Sequence, residues 1–181
     1  MFNLIHQKDR GFTLLEMLAV LMIMGILMAI ATPSVIAMMS RAKLSNSVEQ
    51  VRYTLELSRS QSTQKNKQCN VYIPNGGNQI ISDCLISADN TSSGINGVPP
   101  GLPSVKLDDQ NDIKIENSDS SPLKTITYNV KGITQDSGIF VLSSRSNSNG
   151  EKKCLDIKNG VGLISIGTYI DTINPPCKVG Q

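Results

Sequence analysis

Few side chains in this sequence can do chemistry at neutral pH. There is one histidine, His6, and there are four cysteines, Cys69, Cys84, Cys154 and Cys177. A zinc site or a Cys–His catalytic pair would draw on these five residues, and no two cysteines stand at Cys-x-x-Cys spacing. Asp108, Asp109 and Asp112 form the kind of cluster that attracts calcium. They lack the glycine and glutamate of an EF-hand loop, and they read as a solvated loop. No metal and no cofactor is expected. The informative residue is a lone acid: Glu16 is the only charged residue between Arg10 and Arg41, inside the apolar run 12–31. A carboxylate costs about 2.5–3.5 kcal/mol at the centre of a bilayer, less near an end. Glu16 therefore either sits close enough to the surface to stay wet or finds a cationic partner after assembly. A newly exposed amino group from a neighbouring chain would suit.

The element that carries this acid decides the class. As a helix, the run 12–31 spans about 30 Å, the hydrocarbon thickness of a bilayer. A secretory signal peptide has a shorter apolar core and a small-residue cleavage site, which 29–32 matches only weakly. A core helix would be amphipathic or shorter, and a plain anchor leaves the acid unexplained. The whole chain of 181 residues fits one domain plus a helix. Its net charge of +2 argues against a dedicated nucleic-acid binder, and 4% aromatics with no Trp leave little to stack bases or sugars on.

Gly11-Phe12-Thr13-Leu14-Leu15-Glu16, with Lys8 and Arg10 before it and an unbroken apolar stretch after it, resembles the class III signal of type IV prepilins and pseudopilins. Pro33 also falls where many pilins carry a helix-kinking proline. The resemblance implies a leader, 1–11, removed by a prepilin peptidase after Gly11, and methylation of the new N-terminal Phe12. It further implies that the helix is retained for packing among other pilins. Removal of 1–11 takes His6 with it and leaves a chain without histidine.

Beyond Pro33 the pattern becomes one-sided. Leu44, Val48, Val51 and Leu55 share a helix face, while Arg41, Lys43, Glu49, Arg52, Glu56 and Arg59 occupy the others. Arg52 and Glu56 stand at pairing distance along the helix. The expected division is 12–40 as transmembrane and assembly helix, 41–67 as amphipathic helix, and 68–181 as a β-rich head. The helix is expected to end near Thr63. The net +4 of 41–67 reads as a solvated face rather than a phosphate-binding one.

In the head, Cys69-Asn70-Val71-Tyr72-Ile73 and Ile80-Ile81-Ser82-Asp83-Cys84 flank a Gly76-Gly77 turn signal. With these glycines as a two-residue loop, 73 pairs with 80 and 69 with 84, so the two cysteines face each other within disulfide range. Cys69, Val71, Ile73, Ile80 and Cys84 then share one face, and Asn70, Gln79 and Asp83 the other. Stretch 87–123 is poor in pattern, with short strands indicated near Val105 and at 113–115. Strand signals return at Ile126, Tyr128 and Val130, then at 138–143, which reads as buried on both faces. Segments 153–157 and 162–169 flank Asn159-Gly160 as a hairpin. Leu155, Ile157, Ile164 and Ile166 share its inner face, and Cys154 points outward toward Cys177 in a tail folded across the surface. Four cysteines allow three connectivities, and 69–84 with 154–177 is favoured because both close locally. Oxidised cysteines require the head to lie outside the cytoplasm.

The expected fold class is α+β, a long N-terminal helix packed on an antiparallel β-sheet head. The pattern of the C-terminal half resembles the globular domain of H-type pseudopilins and FimT-type minor pilins. That resemblance implies a non-enzymatic minor subunit at or near the tip of a type IV pilus or a type II secretion pseudopilus. It would start in the inner membrane, N-terminus cytoplasmic and head periplasmic, with lipid and the inner-membrane assembly platform as early partners. Two other classes are weighed against it. Some FimT-type pilins take up DNA through arginines near the C-terminus, but 167–181 holds no arginine and only Asp171 and Lys178 as charges. A monotopic enzyme on a plain anchor would need an acid–base group that no residue supplies.

Overall fold

The computed structural model describes residues 12–85, 90–91, 96–146, 150–172 and 176–179, with the side chains of 31–33 and 90–91 excepted. It divides the chain into two units, 1–39 and 40–181. One helix, α1 (Leu14–Gln64), runs through both. Its start is set by Thr13, whose carbonyl and hydroxyl accept from the first free N–H groups of the helix. Asn66, at positive φ, turns the chain out of its far end.

In the second unit the 4-3-4 spacing of Leu44, Val48, Val51 and Leu55 lays one stripe of α1 into the core, each side chain at most 3% exposed. Small hydroxyl residues flank the stripe and find acceptors without needing water. Ser47 donates to the Leu107 carbonyl at 2.9 Å, and Ser58 bonds the Ser82 hydroxyl at 2.9 Å.

Ten strands follow among the described residues: β1 (Cys69–Pro74), β2 (Gln79–Ser82), β3 (Asn90–Thr91), β4 (Pro103–Lys106), β5 (Ile113–Asn117), β6 (Leu123–Tyr128), β7 (Gly138–Ser144), β8 (Lys153–Ile157), β9 (Ile164–Tyr169) and β10 (Cys177–Val179). They make two antiparallel sheets, ordered β3-β4-β2-β1-β6 and β10-β9-β8-β7-β5. The α+β class stands, with the head built from two sheets. Ile115, on the edge strand β5, exchanges backbone bonds with the β1–β2 turn, which seams the sheets together. That turn cannot spare its glycine, since a Cβ on Gly77 would lie 2.9 Å from Pro74 Cγ.

The first hairpin keeps the expected register, with Val71 opposite Ser82 and Tyr72 opposite Ile81. Cys69, Val71, Ile73, Ile80 and Cys84 all lie in the shared core, while Asn70 and Asp83 bond each other outside it. The chain reverses one residue earlier than expected. Gly77 N donates to Pro74 O, with Gly76 at φ 71°, so Asn75 and Gly76 form the bend. The second hairpin has the expected inner face, with Leu155 opposite Ile166 and Ile157 opposite Ile164. Its loop is wider than a two-residue turn because Gly160 is held by Thr134, N to O in both directions. A shift of two residues leaves every side chain on its own face. In β7, Phe140 and Leu142 enter the core, and Val141 and Ser143 are also buried on the far side. Val130 falls beyond β6, exposed in a turn.

Candidate functional site

Two regions carry the features that stand out in the sequence, one in each unit. In the first unit, Gly11 lies outside the described residues. Phe12 precedes the helix and is 78% exposed. Thr13 is the cap, and Glu16 sits at the third helical position with its backbone N–H donating to Thr13 Oγ1 at 3.2 Å. Thr-x-x-Glu is the spacing of a capping box, a signal the sequence reading passed over. An acid in the first turn also faces the positive end of the helix dipole, worth about 0.3–1 kcal/mol.

From Phe12 to Met39 every large apolar side chain that is described is exposed, none less than 47% (Val20). Pro33 lies within the helix, its side chain outside the described residues. Counted separately on either side of 31–33, no helix is long and apolar enough to cross a membrane. Leu14–Ile30 and Ser34–Gln64 meet that requirement together. The described residues 12–39 are thus a capped apolar stretch whose one carboxylate, Glu16, lies near its start.

In the second unit the cysteines are joined as Cys69–Cys84 and Cys154–Cys177, with Cα separations of 5.6 and 5.7 Å. Cys69, Asp83 and Cys84 cluster closely enough to suggest a metal site. The two sulfurs are bonded to each other, however, and the Asp83 carboxylate accepts from Asn70 N and Nδ2 at 2.8 and 2.9 Å. The thiolates a soft metal would need are consumed.

Two of the three aspartates of the loop, Asp108 and Asp112, are likewise committed to backbone and hydroxyl partners. Asp112 accepts from the Ser146 hydroxyl and N–H and from the Ser144 hydroxyl, which hold its carboxyl below the ordinary range. Asp108 accepts from Asp112 N at 3.0 Å.

Two shallow clefts of about 360 and 250 Å³ flank Asn117 and Ser118. Asp119 faces Lys124 at 3.0 Å in the first, and Asp171 faces Lys152 at 3.7 Å in the second. Such ion pairs fix loops; they set no nucleophile against a base. Tyr128 is fully buried under the turn at Gly162, and burial pushes its phenol up to about 12. Sequence reasoning did not mark this residue, because its periodicity reads simply as a strand position.

Residues 6–32 match the family profile of the prokaryotic N-terminal methylation motif. No curated protein matches the chain by sequence. Among solved structures, the chain resembles the type IV minor pilin FimU of Pseudomonas aeruginosa PAO1, with a TM-score of 0.50 at 12% identity, over 70% of this chain and 89% of that one. A similarity of TM-score 0.49 at 10% identity extends to the minor pseudopilin EpsH from the type 2 secretion system of Vibrio cholerae, over 70% of this chain and 97% of that one. The comparison with FimU shows the fold: a long N-terminal helix leading into an antiparallel head. Motif and fold together support the resemblance to the type IV prepilin and pseudopilin superfamily.

Proposed function

We propose that this chain is a minor subunit of a type IV pilus or a type II secretion pseudopilus, made as a precursor and finished by a prepilin peptidase. The observation that carries this reading is a methylation motif over 6–32 set on an exposed apolar helical stretch, 12–39, whose single acid is Glu16, continuous in sequence with a head of FimU's fold. Cleavage after Gly11 frees the amine of Phe12, and methylation follows there. The cap at Thr13 leaves Phe12 outside the helix, where an enzyme can reach it.

Each later step follows from the same helix. Before assembly, the rod 12–40 lies in the inner membrane, and the disulfide-linked head lies on its periplasmic side. Glu16 near the helix start stays close to the membrane surface, which keeps the cost of its charge small. On extraction by the assembly platform, apolar surface leaves lipid for the helices of other pilins. The Glu16 carboxylate then meets the amine of a neighbouring Phe12, and the attraction is strong because water is absent. The pattern of the head resembles that of H-type pseudopilins and FimT-type minor pilins, which favours a place at or near the filament tip.

The test is fractionation of filaments sheared from cells that carry or lack the prepilin peptidase. The chain is expected in the sheared fraction only when the peptidase is present. Its equal recovery from the peptidase-deficient cells would refute the reading.

A further inference from the structure

Outside the first unit, six large apolar side chains are exposed among the described residues, and four of them lie on two touching turns. Val130 and Ile133 belong to the turn 129–133, and Val161 and Leu163 to the turn 158–163. Thr134 and Gly160 exchange both backbone bonds, at 2.9 and 2.7 Å. That bridge joins the two turns, so that Ile133 and Val161, the residues next to its two ends, lie on adjoining turns. Val161 and Leu163 are 62% and 60% exposed.

The turns are built to hold this display. Asn129 Oδ1 accepts from the N–H groups of Lys131 and Ile133, at 2.9 and 3.0 Å. Gly132 lies so close to α1 that a Cβ there would come within 3.0 Å of Thr63 and 3.3 Å of Arg59. Gly162 lies equally close to Tyr128 and Thr134. Both glycines adopt positive φ, 69° and 64°. Apolar side chains presented on a rigid support lose little further entropy when covered.

The edge of the patch is cationic. Lys131 and Lys158 are exposed on the two turns, and Arg59 reaches Gly132 O through Nε at 3.0 Å. The carboxylates whose field reaches Tyr128 beneath the turns are Glu56 and Asp136. Glu56 accepts from Arg52 at 2.8 Å, and Asp136 accepts from Thr127 N at 2.7 Å. Asp136 keeps its charge, but neither carboxylate pairs with Lys131 or Lys158, which make no ion pair among the described residues and are left for a partner to neutralise.

We propose that these two turns form a docking face for a different subunit of the same filament, whose facing surface is apolar at its centre and carboxylate-bearing at its edge. The proposal rests on the reading of this chain as a filament subunit and adds the place and chemistry of a head contact. Apolar contact supplies the affinity, and the lysines select the partner and its orientation.

The experiment uses the full-length chain in its own cells, with a photo-crosslinking amino acid at position 161. The expected product joins position 161 to a second filament subunit at a peptide that contains Asp or Glu. The double substitution Lys131→Glu with Lys158→Glu should lower its yield about tenfold or more, because like charges then face each other. Reversing the partner's carboxylates to lysine should restore it. A product only with lipid or with a second copy of this chain, no product at all, or a yield within twofold after charge reversal overturns the proposal. The mass of the same sample reports removal of 1–11. A processed chain without the crosslink defeats this inference alone, whereas an unprocessed chain defeats the filament reading and the inference with it.

Discussion

Gly167 is the position where the head leaves no room for a side chain. It sits on β9 opposite Val179 of the tail strand β10. A Cβ there would overlap the Lys178 carbonyl oxygen and come within 2.6 Å of its carbon and 2.9 Å of Val179 N. All three are backbone atoms, so no rotamer change relieves the clash. In Gly167→Ala the strand β10 must move off β9, yet it is tied down by Cys154–Cys177 and by the bond from Ile170 N to Pro176 O at 2.8 Å. Forced overpacking costs about 1–3 kcal/mol, and a tethered backbone neighbour puts this case near the top of that range. For a head of this size the loss lowers Tm by about 10 °C. The disulfide makes the reasoning sharper. With Cys154→Ala and Cys177→Ala, the short tail strand, whose Lys178 and Val179 are already exposed, can swing away. Gly167→Ala should then cost less than about 1 kcal/mol, a non-additivity of about 1–2 kcal/mol in a double-mutant cycle. Urea unfolding of the fragment from Ser40 onward measures all four corners. A Gly167→Ala head within about 0.5 kcal/mol of the parent, or a cost undiminished by loss of the disulfide, would refute the argument.

Other expectations follow from the same structure. Replacing Cys69 and Cys84 with alanine opens a loop of 15 residues' separation and should cost about 3 kcal/mol, read as a lower urea midpoint. Non-reducing peptide maps should show 69–84 and 154–177, and crossed pairs would contradict the register of the first hairpin and the placement of the tail strand β10. Tyr128, whose phenol is pushed up to about 12, keeps its proton when folded while the unfolded chain loses it near 10. Its contribution is therefore whole below pH 10 and is lost as pH rises toward 12, and Tyr128→Phe should remove that alkaline loss. The Tyr128 hydroxyl is buried with no hydrogen-bond partner among the described residues, so Tyr128→Phe at pH 7 should be neutral or stabilising by up to about 1 kcal/mol. Glu16→Leu should leave processing and insertion intact but deplete the chain from sheared filaments, and normal recovery would remove the pairing role of Glu16.

Much of this architecture is legible in the residues, for identifiable reasons. The β1–β2 register can be read because the turn glycines, two cysteines and an alternating apolar face agree on one pairing, and period-2 patterning penalises any slip by one. The helix stripe of Leu44, Val48, Val51 and Leu55 is equally plain because it buries only one side. What escapes is information held by long-range backbone contacts. The seam between the two sheets of the head depends on Ile115 meeting Gly77, which neither segment announces by itself. The wide loop after β8 exists because Gly160 is captured by Thr134, a residue 26 positions away in a different turn. At the N-terminus the Thr13–Glu16 cap is legible in the sequence, but the attention drawn by the charge of Glu16 hides its simpler local role. The docking face escapes for a different reason. Val130, Ile133, Val161 and Leu163 look like ordinary strand and turn residues until the fold brings the two turns together.

The central claim is that this chain is a precursor cut and modified at one peptide bond. The intact mass of protein extracted from membranes of its own cells tests it most directly. The expected species begins at Phe12, lacks residues 1–11 and carries one added methyl group, with both disulfides formed. A chain that retains Met1, or one cut near Ala31 so that the apolar helix is lost, contradicts it.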